Sequence, residues 1–232
     1  MIKLTPILLA AIAAVGMYMF SAFRLKRQLD AQSSELADPR LEALTRRMAD
    51  ALDLPRIKVN IYEVAPVNGL AAPDGRIFIT RGFYDKYRLG EVSAEELSTV
   101  IAHELGHVAL GHSKRRMFDF SGQNAIRVML TMILGRFIPF IGPYIAAALT
   151  SLLAARLSRQ DEYGADAYAA ALLTKSGIGT GPQIALFRKL ERMTVSLGGG
   201  TFAWMLSHPK TDDRIAAIEA LNRRWLPAPA PD

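Results

Sequence analysis

The segment Thr99–His112, TVIAHELGHVALGH, sets the strongest constraint in this 232-residue chain. Two imidazoles and a carboxylate stand inside an apolar run, so the fold must pair them or bind something with them. At about 100° per residue, His107 lies about 40° round a helix from His103, and Glu104 about 100°. Both imidazoles then face the same way, one turn apart, with the carboxylate on the flank. Such a pair can hold one Zn²⁺ at about 2.0–2.1 Å from each nitrogen. Glu104 is placed to take a proton from water that the ion has acidified. Gly106 has no side chain and lets another backbone or a substrate come close. Ser93-Ala-Glu-Glu96 is a capping box that opens this helix, which is predicted to run to about His112.

A hydrolytic metal site needs a third protein ligand and an open position. Cysteine is absent, so no thiolate can serve. His112 follows His107 by five residues, about 140° away on the wheel, and reads as a helix-end residue. An extended H-E-x-x-H-x-x-G-x-x-H pattern also fails, because Leu110 and Ser113 occupy its last two positions. The third ligand is therefore expected to be a carboxylate from elsewhere. Residues 158–166, SRQDEYGAD, offer Glu162 and Asp166, four apart on one helix face. One can bind metal while the other accepts a hydrogen bond from a ligand imidazole. The alternative is a solvated acidic face, on a helix that also carries Arg159 and Asp161.

The remaining pattern predicts an α+β chain, mostly helical with a few short strands. Pro39–Asp53 has apolar residues at 41, 44, 48 and 52, a helical spacing. Ile57–Val64 and Arg76–Thr80 (RIFIT) read as strands, separated by the small-residue stretch Val67–Pro73 and an Asp74-Gly75 turn. Further helices are expected at 158–176, 182–197 and from Thr211 to about Arg224. Residues 227–232 are a proline-rich tail. The catalytic domain is placed at 40–226, after a polar linker at 24–39.

Leu4–Phe23 contains 20 residues without a charge, the length of one helical membrane crossing. A cleaved leader is the alternative, but small-residue cleavage options near Ala10–Ala14 come too early for one. An uncleaved, single-pass anchor in the cell membrane is expected. Arg24, Lys26 and Arg27 after the span outweigh Lys3 and the α-amine before it, which favours a cytoplasmic catalytic domain. Four of the 28 basic residues precede the first acid, Asp30. The remaining 24 face 22 acidic residues, so the basic balance belongs to membrane flanks and no nucleic-acid partner is expected. Residues 126–157 are a second apolar segment, interrupted by Arg136, Pro139, Gly142 and Pro143. It lies between sequences that must reach the same metal, so it crosses a membrane twice or not at all. It is too short to cross twice. The expectation is a helical hairpin that either packs on the domain or dips into the near leaflet.

HELGH, then S-R-x-x-E-Y-x-A-D about 55 residues on, then H-P-x-T-x-x-R-I at 208–215, resembles the M48 family of membrane-associated zinc metallopeptidases. That family includes HtpX-type quality-control proteases and Ste24-type CAAX proteases. Asn68–Pro73 with Gly75 is similar to that family's stretch before an edge strand. The resemblance implies a zincin-type (gluzincin) domain holding one Zn²⁺ per chain. It implies His103, His107 and Glu162 as ligands, Glu104 as general base and Asp166 as the orienter of a ligand histidine. His208 would stabilise the oxyanion, and Arg214 would hold the loop around it. Polypeptide substrates follow, in particular misfolded or membrane-associated proteins in contact with the lipid bilayer. The substrate would lie extended along an edge strand, for which 76–80 is the candidate, with Asn68, Ile77 and Ile79 as contacts; an ordinary internal strand is the alternative there. A tethered chaperone would have no need of Glu104, and a zinc hydrolase acting on a non-peptide substrate is the other competing reading.

Overall fold

The computed structural model describes residues 4–72, 74–112, 127–128, 130–196 and 211–225. They form two compact units, Ser33–Leu110 with Arg159–Asp232, and Met1–Gln32 with Gly111–Ser158.

The first of these holds a four-stranded sheet in the order β1 (Ser33–Glu35), β2 (Val59–Tyr62), β4 (Ile77–Thr80), β3 (Gly69–Ala71). β2 and β4 run parallel, and the outer strands pair antiparallel. Val59 and Ile61 alternate inward from β2. All four residues of β4 are buried, because β4 has a strand on either side and cover on both faces. This overturns the expectation that 76–80 is an edge. A continuous apolar run is what a strand covered on both faces requires, and the edges of the sheet among the described residues are β1 and the small-residue strand β3.

Helix α2 (Pro39–Ala51) buries Leu41, Leu44 and Met48 at helical spacing. Its N-cap is Asp38, whose Oδ1 accepts from the Arg40 and Leu41 amides at 3.1 and 3.2 Å. The same carboxylate accepts from the Tyr87 and Tyr84 hydroxyls at 3.1 and 3.3 Å, tying α2 to α3 (Arg81–Arg88). Helix α4 (Ala94–Ala109) opens on the expected capping box, and Lys189 adds a 2.6 Å bond to Glu96. It ends three residues earlier than predicted, because Gly111 takes φ +71° and terminates the helix. Helix α5 (Gly142–Lys175) is one 34-residue helix that begins well before the expected 158. Helices α6 (Gly181–Ser196) and α7 (Thr211–Trp225) complete this unit. The core is built on Leu41, Met48, Ile79, Phe83, Leu97 and Leu186.

Residues 24–39, expected as a linker, are structured. Helix α1 (Leu4–Ala31) continues through Arg24–Ala31, Ser33–Glu35 joins the sheet, and Asp38 caps α2. Polarity misled here, since Arg, Leu, Lys and Gln are good helix formers. Many α1 side chains before Phe23 lie outside the described residues. Among the described residues no helix is long and apolar enough to cross a membrane. In the same unit, helical backbone at 130–137 meets the start of α5 through a turn at 138–141, where Phe140 has φ +71°. The chain folds back so closely that a Cβ on Gly142 would lie 2.6 Å from the Leu134 carbonyl oxygen. Part of 126–157 and the tail at 227–232 fall outside the described residues.

Asp38→Ala should lower stability by about 2 kcal/mol, since it removes a helix cap and the acceptor for two tyrosine hydroxyls. Urea unfolding checks this, and Asp38→Asn, which keeps an acceptor oxygen, should cost less.

Candidate metal centre

Helix α4 delivers His103, Glu104 and His107 into the interior, each under 5% exposed. The two rings meet edge to face, with centroids 4.7 Å apart, and their Nε2 atoms are 3.1 Å apart. Helix α5 supplies Glu162, whose Oε2 lies 3.4 Å from His103 Nε2 and whose Oε1 lies 3.5 Å from His107 Nε2. Four donors about 2.05 Å from a tetrahedral ion are separated by about 3.3 Å. The measured separations are close to that spacing, with Glu162 presenting one oxygen to each imidazole, and the three residues form a possible metal site. Two imidazoles and a carboxylate are also the donor chemistry that Zn²⁺ takes.

Asp166, one turn after Glu162, places Oδ1 2.9 Å from His103 Nδ1. Its carboxylate accepts the Nδ1 proton, which leaves the Nε2 lone pair directed at the site. Arg214, from α7, donates Nε to Asp166 Oδ2 at 2.6 Å and Nη2 to Oδ1 at 2.7 Å. Burial alone would raise the Asp166 carboxyl, but the Arg214 bonds outweigh it and hold it down at about 2. Burial alone would lower the His103 imidazole, but the Asp166 and Glu162 carboxylates outweigh it and hold it up at about 9.

Two glycines let the pieces approach. A Cβ on Gly106 would lie 3.0 Å from the Ala165 Cα and carbonyl oxygen, so the absent side chain lets α4 and α5 touch beside the donors. A Cβ on Gly69 would lie 2.6 Å from Val100 Cγ1 and 3.3 Å from Glu104 Oε1. Strand β3 therefore runs directly against Glu104.

The predicted residues divide accordingly. His103, His107 and Glu162 come together as donors, with Glu104 adjacent and Asp166 on His103. His112 is not in the donor set. Ile77 and Ile79 are core residues at 1% and 0% exposure and are corrected as substrate contacts. Asn68 opens β3, and its backbone oxygen accepts from the Thr80 amide at 3.0 Å. Its Oδ1 accepts from the Gly69 amide at 3.0 Å. His208 lies outside the described residues. The part of Arg214 was missed: the motif placed it with a loop, and only the folded chain brings α7 onto Asp166. Its signal was a lone arginine three residues after the Thr211 that starts α7.

The model of peptidase family M48 matches residues 35–222. The metalloprotease LoiP of Escherichia coli (strain K12) is 28% identical over 183 residues, covering 77% of this chain and 68% of that protein. The metalloprotease YcaL of the same organism is 27% identical, covering 81% and 71%. A protease HtpX homolog of Salinibacter ruber is 29% identical, covering 94% and 88%.

Gly106→Val should force α4 from α5, cost about 2 kcal/mol and weaken metal binding at least about tenfold, read by chelator competition. The pH dependence of the chelator-treated protein follows from the two shifted groups. Asp166 stabilises the fold above its usual 3.8, and that contribution is lost as pH falls toward about 2. His103 stabilises it below its usual 6.5, and that contribution is lost as pH rises through about 9. Melting temperature should therefore peak between about pH 4 and 6.5. Added Zn²⁺, which requires His103 Nε2 deprotonated, should raise it most on the alkaline side.

Proposed function

The chain belongs to peptidase family M48 and is a zinc metalloendopeptidase, and on that premise we propose that it is a membrane-anchored enzyme cutting misfolded or membrane-associated polypeptides with Glu104 as general base. The observation that carries the catalytic part is the cluster of His103, His107 and Glu162 beside a buried glutamate, the two Nε2 atoms 3.1 Å apart and each within 3.5 Å of one Glu162 oxygen. Zn²⁺ held there supplies Lewis acidity and lowers the pKa of water toward neutrality.

The chain's own groups do the rest. Glu104, out of bulk solvent on the flank of the donors, takes the proton from the attacking water and returns it to the leaving amine. Asp166 keeps the His103 proton on Nδ1, so Nε2 stays a ligand throughout. Strand β3 ends the sheet among the described residues and lies against Glu104, which supports an extended substrate segment added alongside it. On the motif alone, His208 is assigned to the oxyanion.

Membrane attachment rests on the 20 uncharged residues of Leu4–Phe23 and on the apolar surface of the same unit. Phe137, Phe140, Tyr144 and Leu152 are all more than two-thirds exposed, and Phe140 at the turn is 90% exposed. Large apolar side chains exposed together in one short segment suit a nonpolar partner surface. The limb at 130–137 before that turn is about 12 Å long at 1.5 Å per residue, well short of a bilayer's hydrocarbon core of about 30 Å. That supports a hairpin that enters one leaflet without crossing. The basic residues after Phe23 favour a cytoplasmic catalytic domain.

Glu104→Gln should cut kcat for casein by about 10²–10⁴ with zinc content unchanged; equal activity in the two proteins would end the general-base assignment. After deletion of residues 2–23, the protein should still float with lipid vesicles, and Phe137→Asp with Phe140→Asp should abolish flotation. No flotation of the deleted form rules out the dip.

A further inference from the structure

Arg214 is 3% exposed, although an unpaired guanidinium is among the costliest groups to bury. Its surroundings explain its place. Nε and Nη2 fork onto the two oxygens of Asp166 at 2.6 and 2.7 Å. Nη2 also lies 3.9 Å from Glu162 Oε2. The guanidinium carbon sits 4.4 Å from the centroid of the Phe187 ring on α6. One cation from α7 thus faces two carboxylates of α5, one of which is a metal donor and the other the partner of a donor imidazole. The aromatic face behind it fixes its plane.

We propose that Arg214 is a positioning residue for the metal. It clamps Asp166 in the single orientation that holds His103 by Nδ1, and it brings the charge of the site to that of a divalent cation. This rests on the zinc reading given above. The clamp follows from geometry. A carboxylate held by a two-pronged fork cannot rotate, so the remaining lone pair on Oδ1 stays aimed at His103, 2.9 Å away. A lysine in this place would supply the charge from one point and leave Asp166 free to turn about it. The charge balance follows from the residues present. With both imidazoles neutral, Glu104, Glu162 and Asp166 carry three negative charges and Arg214 one positive. The two remaining negative charges are what a divalent ion offsets. Removing Arg214 has two opposed effects, more negative charge around the ion and a loosened Asp166. A carboxylate without its fork is free to turn away, which takes its acceptor oxygen off His103 Nδ1, so the loosening dominates.

The test uses the full chain in detergent, with zinc affinity read by competition against a chelating dye and folding by thermal melt. Arg214→Met should weaken zinc binding about 10–100-fold, and Arg214→Lys should fall between it and wild type. With zinc saturating, kcat for casein should drop while KM changes less than about threefold, because Arg214 acts through His103 rather than on substrate. Asp166→Asn combined with Arg214→Met should bind zinc no more than about twofold worse than the weaker single variant, since both break one linkage. If folded Arg214→Met binds zinc within about twofold of wild type, or if the two single effects multiply in the double variant, Arg214 only packs helices and the proposal is overturned. If Arg214→Met does not fold, Arg214→Lys decides: full zinc affinity in that variant overturns the clamp, and reduced affinity supports it. A wild-type chain that binds no zinc would sink the underlying enzyme reading instead, which separates the two failures.

Discussion

The hydrogen-bonded line from Arg214 through Asp166 to His103 is what the centre of this protein depends on. His103, Glu104, His107, Glu162, Asp166 and Arg214 are all nearly inaccessible to water. Bringing so many ionisable groups inside is unfavourable unless each meets an opposite charge or a hydrogen bond. The fork on Asp166 and the Asp166 bond to Nδ1 satisfy part of that demand within the chain. His103, His107 and Glu162 lie close enough together to hold a cation as well, which would offset part of the buried negative charge. The contacts that satisfy these groups therefore also shape the donor set.

The rest of the catalytic unit reads as the means of bringing three separate helices to that point. The Ser93–Glu96 box and Lys189 fix the start of α4, and Gly111 fixes its end. Gly106 allows the backbone of α5 to lie against α4 one turn from the donors. The sheet contributes by position: buried β4 carries β3, and β3 lies along α4 with Gly69 against Glu104. The edge strand β3 and the buried Glu104 are thus placed by one packing contact.

Helix α5 joins two kinds of chemistry in one element. Its last half bears Glu162 and Asp166, and its first half follows the apolar turn around Phe140.

Much of this was legible from residue spacing. HELGH on a capped apolar helix determined that His103 and His107 face the same way with Glu104 on the flank, because i and i+4 share a helix face whatever the rest of the fold does. The Glu162/Asp166 spacing determined that one acid could bind metal while the other oriented a histidine. The strands' existence was readable, but their order was not: RIFIT looked suited to an edge, and only pairing with β2 and β3 makes it internal. Polar residues 24–39 suggested a linker, because composition cannot tell a solvated helix and a short strand from a flexible tether. The sequence by itself determined the chemistry each local element could offer. Tertiary structure alone decided which acid faces the ion, that Arg214 holds the other, and that β3 is the edge beside Glu104, because those are contacts between residues 48 and 63 positions apart and among strands whose order no local period encodes.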